Sequence, residues 1–246
     1  MSGLPFEARL HLRDQLRAAR ALVLKDAEAF DAVVQVVERI GRLLRPKETG
    51  MAKFKDAVCA VASASSLAKD VPDAFPEVHA RFDTLYELVR EARNSAIHEG
   101  ALARNLTGRT IELALILEDA LMPDAATVSD FMIRGPVTAA PWQPLSFVRQ
   151  TLLANSFSYL PVRFGDEPWF LVSDYALANY LAADSRARLR ETMSHAKAQG
   201  LALDRPLTVR SGEAIDGLRK TVTSMPILVT REDGELLGII TAFDLL

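Results

Sequence analysis

Apolar residues in the first half of the chain recur at helical spacing. Between Ala27 and Leu44 they fall at Phe30, Val33, Val34, Val37, Ile40, Leu43 and Leu44, a single stripe along one helix. Arg45-Pro46 ends it, because a residue before proline is pushed out of the helical region. A second helix is predicted from about Lys47 to Ala68, with Met51, Phe54, Val58, Val61 and Leu67 on its apolar side. Its small-residue middle, AVCAVASASS, lets a neighbouring helix come close. A third is predicted from Pro76 to His98, carrying Val78, Phe82, Leu85, Leu88 and Val89 and ended by Gly100. A fourth spans Thr107 to Leu121, and residues 6–24 add a shorter helix at the start.

At Pro123 the pattern changes. Prolines recur at 123, 136, 141, 144, 161 and 168, and short β-like runs replace the helical stripes. YLPVRF and PWFLV flank Gly165-Asp166, a hairpin signal. A second round follows: RPLTV, a helix from Gly212 to about Thr221, MPILVT, a turn at Asp233-Gly234, then ELLGIITAFDLL. The rounds align, with Thr138 on Thr208, Leu160-Pro161-Val162 on Met225-Pro226-Ile227, and LVSDYALANYL on IITAFDLL. The chain thus holds an internal repeat of roughly 70 residues, which outranks local propensity as a sign of architecture. The expected fold is two-domain, an all-α bundle over 1–122 followed by an α/β repeat pair over 123–246, its halves about 123–183 and 200–246.

Composition narrows the chemistry. With 49% hydrophobic and 25% charged residues the chain can build a core, and a net charge of −3 gives no overall basic surface for nucleic acid. The single cysteine, Cys59, builds neither a disulfide framework nor a metal site, which suits a reducing cytoplasm. No leader-like apolar run opens the chain and no membrane-length apolar segment occurs, so a cytoplasmic protein is expected. No phosphate-binding glycine loop, nucleophile elbow or zinc pattern is present, and no metal is expected.

The repeat resembles the cystathionine-β-synthase (CBS) domain. VSDFMIRGPVTAAPWQPLSFVRQTLLANSFSYLPV is similar to the family's opening, and Gly238-Ile-Ile-Thr241-Ala-Phe-Asp244 to its Gly-h-h-Thr/Ser-x-x-Asp ending, where h is apolar. The resemblance covers about half the chain and implies an adenine nucleotide as regulatory ligand. Thr241 stands where a strand gives way to a helix, so its hydroxyl and nearby N–H groups can meet a phosphate. Asp244, nearly one helical turn on, can accept both ribose hydroxyls. Carried over from the family, Val209, Met225 and Ile227 would line the base. Helix capping is the structural alternative for Thr241 and Asp244. The first repeat departs from the pattern: Ser173 can replace Thr241, but Ala176 stands where the aspartate belongs and Asp174 lies two residues early. One good site, in the second repeat, is expected.

The helical half carries Glu91-Ala-Arg93-Asn94-Ser-Ala-Ile-His98. This resembles the Arg-x4–6-His motif of HEPN domains, all-helical bundles, and implies metal-independent cleavage of RNA by a homodimer. His98 would move the proton of the 2′-hydroxyl, Arg93 would hold the phosphoryl oxygens, Asn94 would orient phosphate or imidazole, and Glu91 would tune the pair. On an ideal helix Arg93 and His98 lie roughly 140° apart, so two copies meeting across a two-fold axis would complete a site that one copy cannot. The alternative is an Arg93 paired with Glu87 or Glu91, and a non-enzymatic regulator whose helical half only dimerises or docks a partner.

Overall fold

The computed structural model describes residues 3–96, 103–122, 126–221 and 223–246. The chain divides into two compact units, Met1–Asp124 and Ala125–Leu246.

The first unit is helical: α1 (Phe6–Lys25), α2 (Asp31–Leu44), α3 (Met51–Ala62), α4 (Asp70–Ala74), α5 (Phe82–Ala96) and α6 (Ala103–Ala120). α1 packs on α2 and α6, and α3 on α2 and α5. Val33, Val34, Val37, Ile40, Phe54, Val58, Leu85, Val89, Leu113 and Leu117 form the shared core. At Gly41 the Phe54 ring lies so close that a Cβ would stand 2.3 Å from it, so only glycine lets α3 seat there. Burial pushes the Cys59 thiol up to about 11, which leaves little reactive thiolate.

Three elements differ from the sequence expectation. α1 has the expected bounds to within one residue but at 20 residues is longer than the helices that follow it; its arginines dilute the apolar stripe, yet Leu12, Leu16, Ala19 and Val23 are all buried. The helix expected from Lys47 to Ala68 stops at Ala62, where serine side chains compete for backbone groups. The Ser63 hydroxyl donates to the Ala60 carbonyl at 2.8 Å, and Ser65 Oγ accepts from Leu67 N–H at 3.1 Å. The third helix begins at Phe82 rather than Pro76; Val78, counted in its stripe, is exposed.

The second unit comprises α7 (Val128–Phe131), β1 (Ile133–Arg134), α8 (Leu145–Asn155), β2 (Tyr159–Val162), β3 (Phe170–Ser173), α9 (Asp174–Leu181), α10 (Ser185–Arg188), α11 (Met193–Ala198), β4 (Thr208–Arg210), α12 (Ile215–Arg219), β5 (Ile227–Thr230) and β6 (Leu236–Ile240). β2 and β3 form one antiparallel sheet; the other is mixed, in the order β1-β6-β5-β4 with β4 parallel to β5. Both predicted hairpins are present, and Gly165 (φ 56°) and Gly234 (φ 82°) supply the left-handed residue in each turn. Pro136-Val-Thr138, which aligns with Pro206-Leu-Thr208 at the start of β4, contributes no strand of its own; beside it Ala139 makes one parallel bridge to Val162.

The repeats exchange their leading segments. β1, near the start of the first repeat, pairs with β6 of the second, while Asp204, near the start of the second, bridges Leu171 of β3 in the first. The loops ahead of the helices cross in the same way. Ile215 N–H donates to the Ala126 carbonyl (2.9 Å) and Leu145 N–H to the Glu191 carbonyl (2.8 Å); Val128 N–H donates to Glu213 and Met193 N–H to Gln143, each at 2.9 Å. Equivalent atoms make equivalent bonds in both directions, so each half satisfies backbone groups of the other.

Candidate functional site

In the second repeat, Thr241 is the N-cap of a short 3₁₀ turn, Ala242–Leu245. Asp244 is buried, and its Oδ2 accepts from Thr241 N–H and Thr241 Oγ1, each at 2.8 Å. Thr127 and Asp130 make the same reciprocal cap at the start of α7. Val209 and Ile227 share one face of the sheet, because Val209 pairs with Val229 and Ile227 with Ile240. Thr241 follows Ile240 in extended backbone and so stands on the opposite face. The register therefore joins Val209 to Ile227 but not to Thr241, and half-buried Met225 lies just ahead of β5.

The first repeat reaches the same turn with different atoms. Ser173 is the buried N-cap of α9, and its Oγ accepts from Ala176 N–H at 3.1 Å. Asp174 turns onto the N–H of Tyr175 at 2.6 Å. Beside this turn lies a cavity of about 450 Å³, walled by Ser173, Tyr175, Ala176, Asn179, Tyr180 and Arg188 and closed by residues from Gln199 to Asp204. Leu171 and Ser173 face away from the core that takes Phe170 and Val172, and Asp204, cross-strand partner of Leu171, shares their face. The Arg188 guanidinium lies over the Tyr180 ring, 4.2 Å from its centroid, and donates to the Tyr180 carbonyl. Tyr180 Oη donates to Glu191 at 2.6 Å. Burial and that bond raise the Tyr180 phenol above its ordinary range, so it stays protonated. Tyr175 is 75% exposed, and Phe243, its counterpart in the second repeat, is 65% exposed.

Of the candidate ligand-binding residues named from the sequence, only Ser173 lines this cavity, with Ala176 in the place of the expected aspartate. Arg188, Asp204 and Asn179 were missed because they come from separate segments. One signal pointed to Asp204: Gly135-Pro136 of the first repeat is spread to Gly200-Leu-Ala-Leu-Asp-Arg-Pro206 in the second.

In the helical unit, His98 lies outside the described residues, as does the side chain of Asn94. Arg93 pairs with Glu38 and stands 3.8 Å from Asp31, both on α2, rather than with the Glu87 or Glu91 of its own helix. Glu91 is exposed and lies 3.5 Å from Arg90, which also bonds Glu87 at 2.5 Å. Among the described residues no cluster of three or more His, Cys, Asp or Glu can hold a metal, and no helix is long and apolar enough to cross a membrane.

No curated protein matches the chain. Solved structures similar to it include a CBS-domain-containing protein, ATU1752, from Agrobacterium tumefaciens (22% identity, 49% of this chain and 90% of that one, TM-score 0.38). CBSX2 from Arabidopsis thaliana is 23% identical over 48% of this chain and 89% of its own, with a TM-score of 0.39. CbpB in complex with c-di-AMP is 12% identical over 48% and 81%, with a TM-score of 0.40. The family model described as the CBS domain matches residues 211–246, and the C-terminal part of the chain carries a CBS domain.

Proposed function

We propose that the C-terminal unit binds an adenine nucleotide and that this ligand regulates what the helical unit does. The cavity beside Ser173 carries the reading. Its volume of about 450 Å³ suits a mononucleotide. The Ser173 hydroxyl at the start of α9 offers a hydrogen-bond donor to the nucleotide. Exposed Tyr175 offers a stacking surface to a base. The other cradle, Thr241 and Asp244 with Val209, Met225 and Ile227, is the alternative position. There the Asp244 carboxylate already closes the turn, and the apolar residues of β4 and β5 lie across the sheet from Thr241.

Calorimetric titration with AMP, ADP, ATP and c-di-AMP tests the reading. One nucleotide per chain is expected. Tyr175→Ala should weaken binding about tenfold, the value of a lost base stack, while Asp244→Ala leaves affinity unchanged. Heat of binding abolished by Asp244→Ala and untouched by Tyr175→Ala moves the site to the second repeat. No binding of any of the four overturns the proposal.

For the helical unit the geometry favours a docking or dimerising role over RNA cleavage, because Arg93 is tied to Glu38 and Asp31 of α2. Regulation then requires that the nucleotide bind one arrangement of the protein more tightly than another. A labelled RNA incubated in chelator, with and without nucleotide, beside His98→Ala decides the point. Intact RNA throughout supports the regulator; cleavage lost in the mutant supports a homodimeric nuclease using His98, Arg93, Asn94 and Glu91.

A further inference from the structure

The first-repeat cavity holds two charged residues that no neighbour neutralises. Among the described residues Arg188 makes no ion pair; its guanidinium is held flat on Tyr180 and by one carbonyl. Asp204 uses its backbone N–H and C=O on Leu171, both at 2.9 Å, and its carboxylate has no hydrogen-bond or ion-pair partner among the described residues. Both line the same cavity, yet no ion pair joins them. A half-buried cation and anion without a counter-ion in the same cavity are open to a ligand that carries the matching groups.

Their positions are specified by the fold. Arg188 comes from the segment joining the repeats, which is fastened by Tyr180 Oη on Glu191, by Leu145 N–H on the Glu191 carbonyl and by Ser146 N–H on the Leu189 carbonyl. Asp204 comes from the five-residue insertion between Gly200 and Pro206, and its bridge to Leu171 sets it on the sheet face that Ser173 occupies. The same cavity has Ala176 where the second repeat has Asp244. The carboxylate missing at Ala176 is thus supplied from across the strand.

Resting on the nucleotide reading, we propose that Asp204 and Arg188 make this cavity selective for a ribonucleoside monophosphate. Asp204 accepts from the vicinal hydroxyls of the ribose, and Arg188 forms the charge-assisted bond to the phosphate. A carboxylate can take both hydroxyls of a cis-diol at once, and a planar guanidinium suits phosphate oxygens. Ligands lacking one of these groups leave the matching charge unanswered and bind more weakly.

The test is calorimetry of the full chain with AMP, 2′-deoxy-AMP and adenosine. The wild-type protein should prefer AMP to each of the others by about tenfold, the value of one charge-assisted hydrogen bond. Asp204→Ala should bring AMP and 2′-deoxy-AMP to equal affinity while keeping AMP ahead of adenosine. Arg188→Gln should do the converse. Asp204→Asn, which keeps the side-chain volume and the backbone bridge, should weaken the ribose preference in the same direction; circular dichroism confirms that each variant is folded. Wild-type binding of AMP with both preferences intact in the variants overturns the assignment of Asp204 and Arg188 and leaves the nucleotide reading standing. Absence of AMP binding by the wild-type protein overturns both.

Discussion

The second repeat closes its final turn with a carboxylate: Asp244 takes the N–H and the hydroxyl of Thr241. The first repeat closes the equivalent turn with the Ser173 hydroxyl on Ala176 N–H and Asp174 on Tyr175 N–H, and Ala176 leaves a cavity beside it. The two ends differ again one strand earlier. Gly238 lets β1 approach β6, since a Cβ there would lie 2.9 Å from the Ile133 carbonyl and 2.7 Å from Met132 Sδ. At the corresponding place in the first repeat Phe170 fills the core, and the exchanged segment bridges Leu171, the counterpart of the Ile239 with which Ile133 pairs. A shared backbone plan thus supports a closed turn in one copy, where Asp244 stands, and an open one in the other, where Ala176 stands.

The exchange gives the largest expected effect. Fragments 125–184 and 185–246 made separately should remain unfolded by circular dichroism, since each loses the backbone partners that the other supplies and is too small to replace them with core; two independently folded fragments would break the pseudo-symmetric picture. Next, Gly238→Val should cost about 2–3 kcal/mol in denaturant unfolding, the range for overpacking against fixed neighbours. Asp244→Ala should cost about 1–2 kcal/mol through the lost cap, and Ser173→Ala about 1 kcal/mol for its single bond. Equal costs would mean that the two turns are closed alike. Smallest are Tyr175→Ala and Phe243→Ala, each within about 0.5 kcal/mol because the rings are exposed. Of that pair, only Tyr175→Ala should alter nucleotide affinity.

Much of the fold was legible because it is local. The stripe from Val33 to Ile40, both hairpin turns and the repeat itself follow from spacing and turn chemistry in short windows. Where side chains compete with the backbone, as at Ser63 and Ser65, the apolar pattern ran past the true helix end. The exchange of β1 and Asp204 between repeats could not be read, because it depends on pairing between distant segments. The same cause hid most of the cavity: Ser173 carries a motif position, whereas Arg188 and Asp204 are ordinary surface residues until the strands bring them to it. At Thr241 and Asp244 the motif was read and so was its structural alternative, and the geometry displays the cap.

Photolabelling with 8-azido-AMP, followed by peptide mapping, locates the nucleotide most directly. Label on the segments holding Tyr175, Tyr180 or Gln199–Asp204, competed away by AMP, is the predicted result. Label confined to the peptides around Met225 and Thr241, or label that excess AMP fails to displace, would contradict a ligand in the first-repeat cavity.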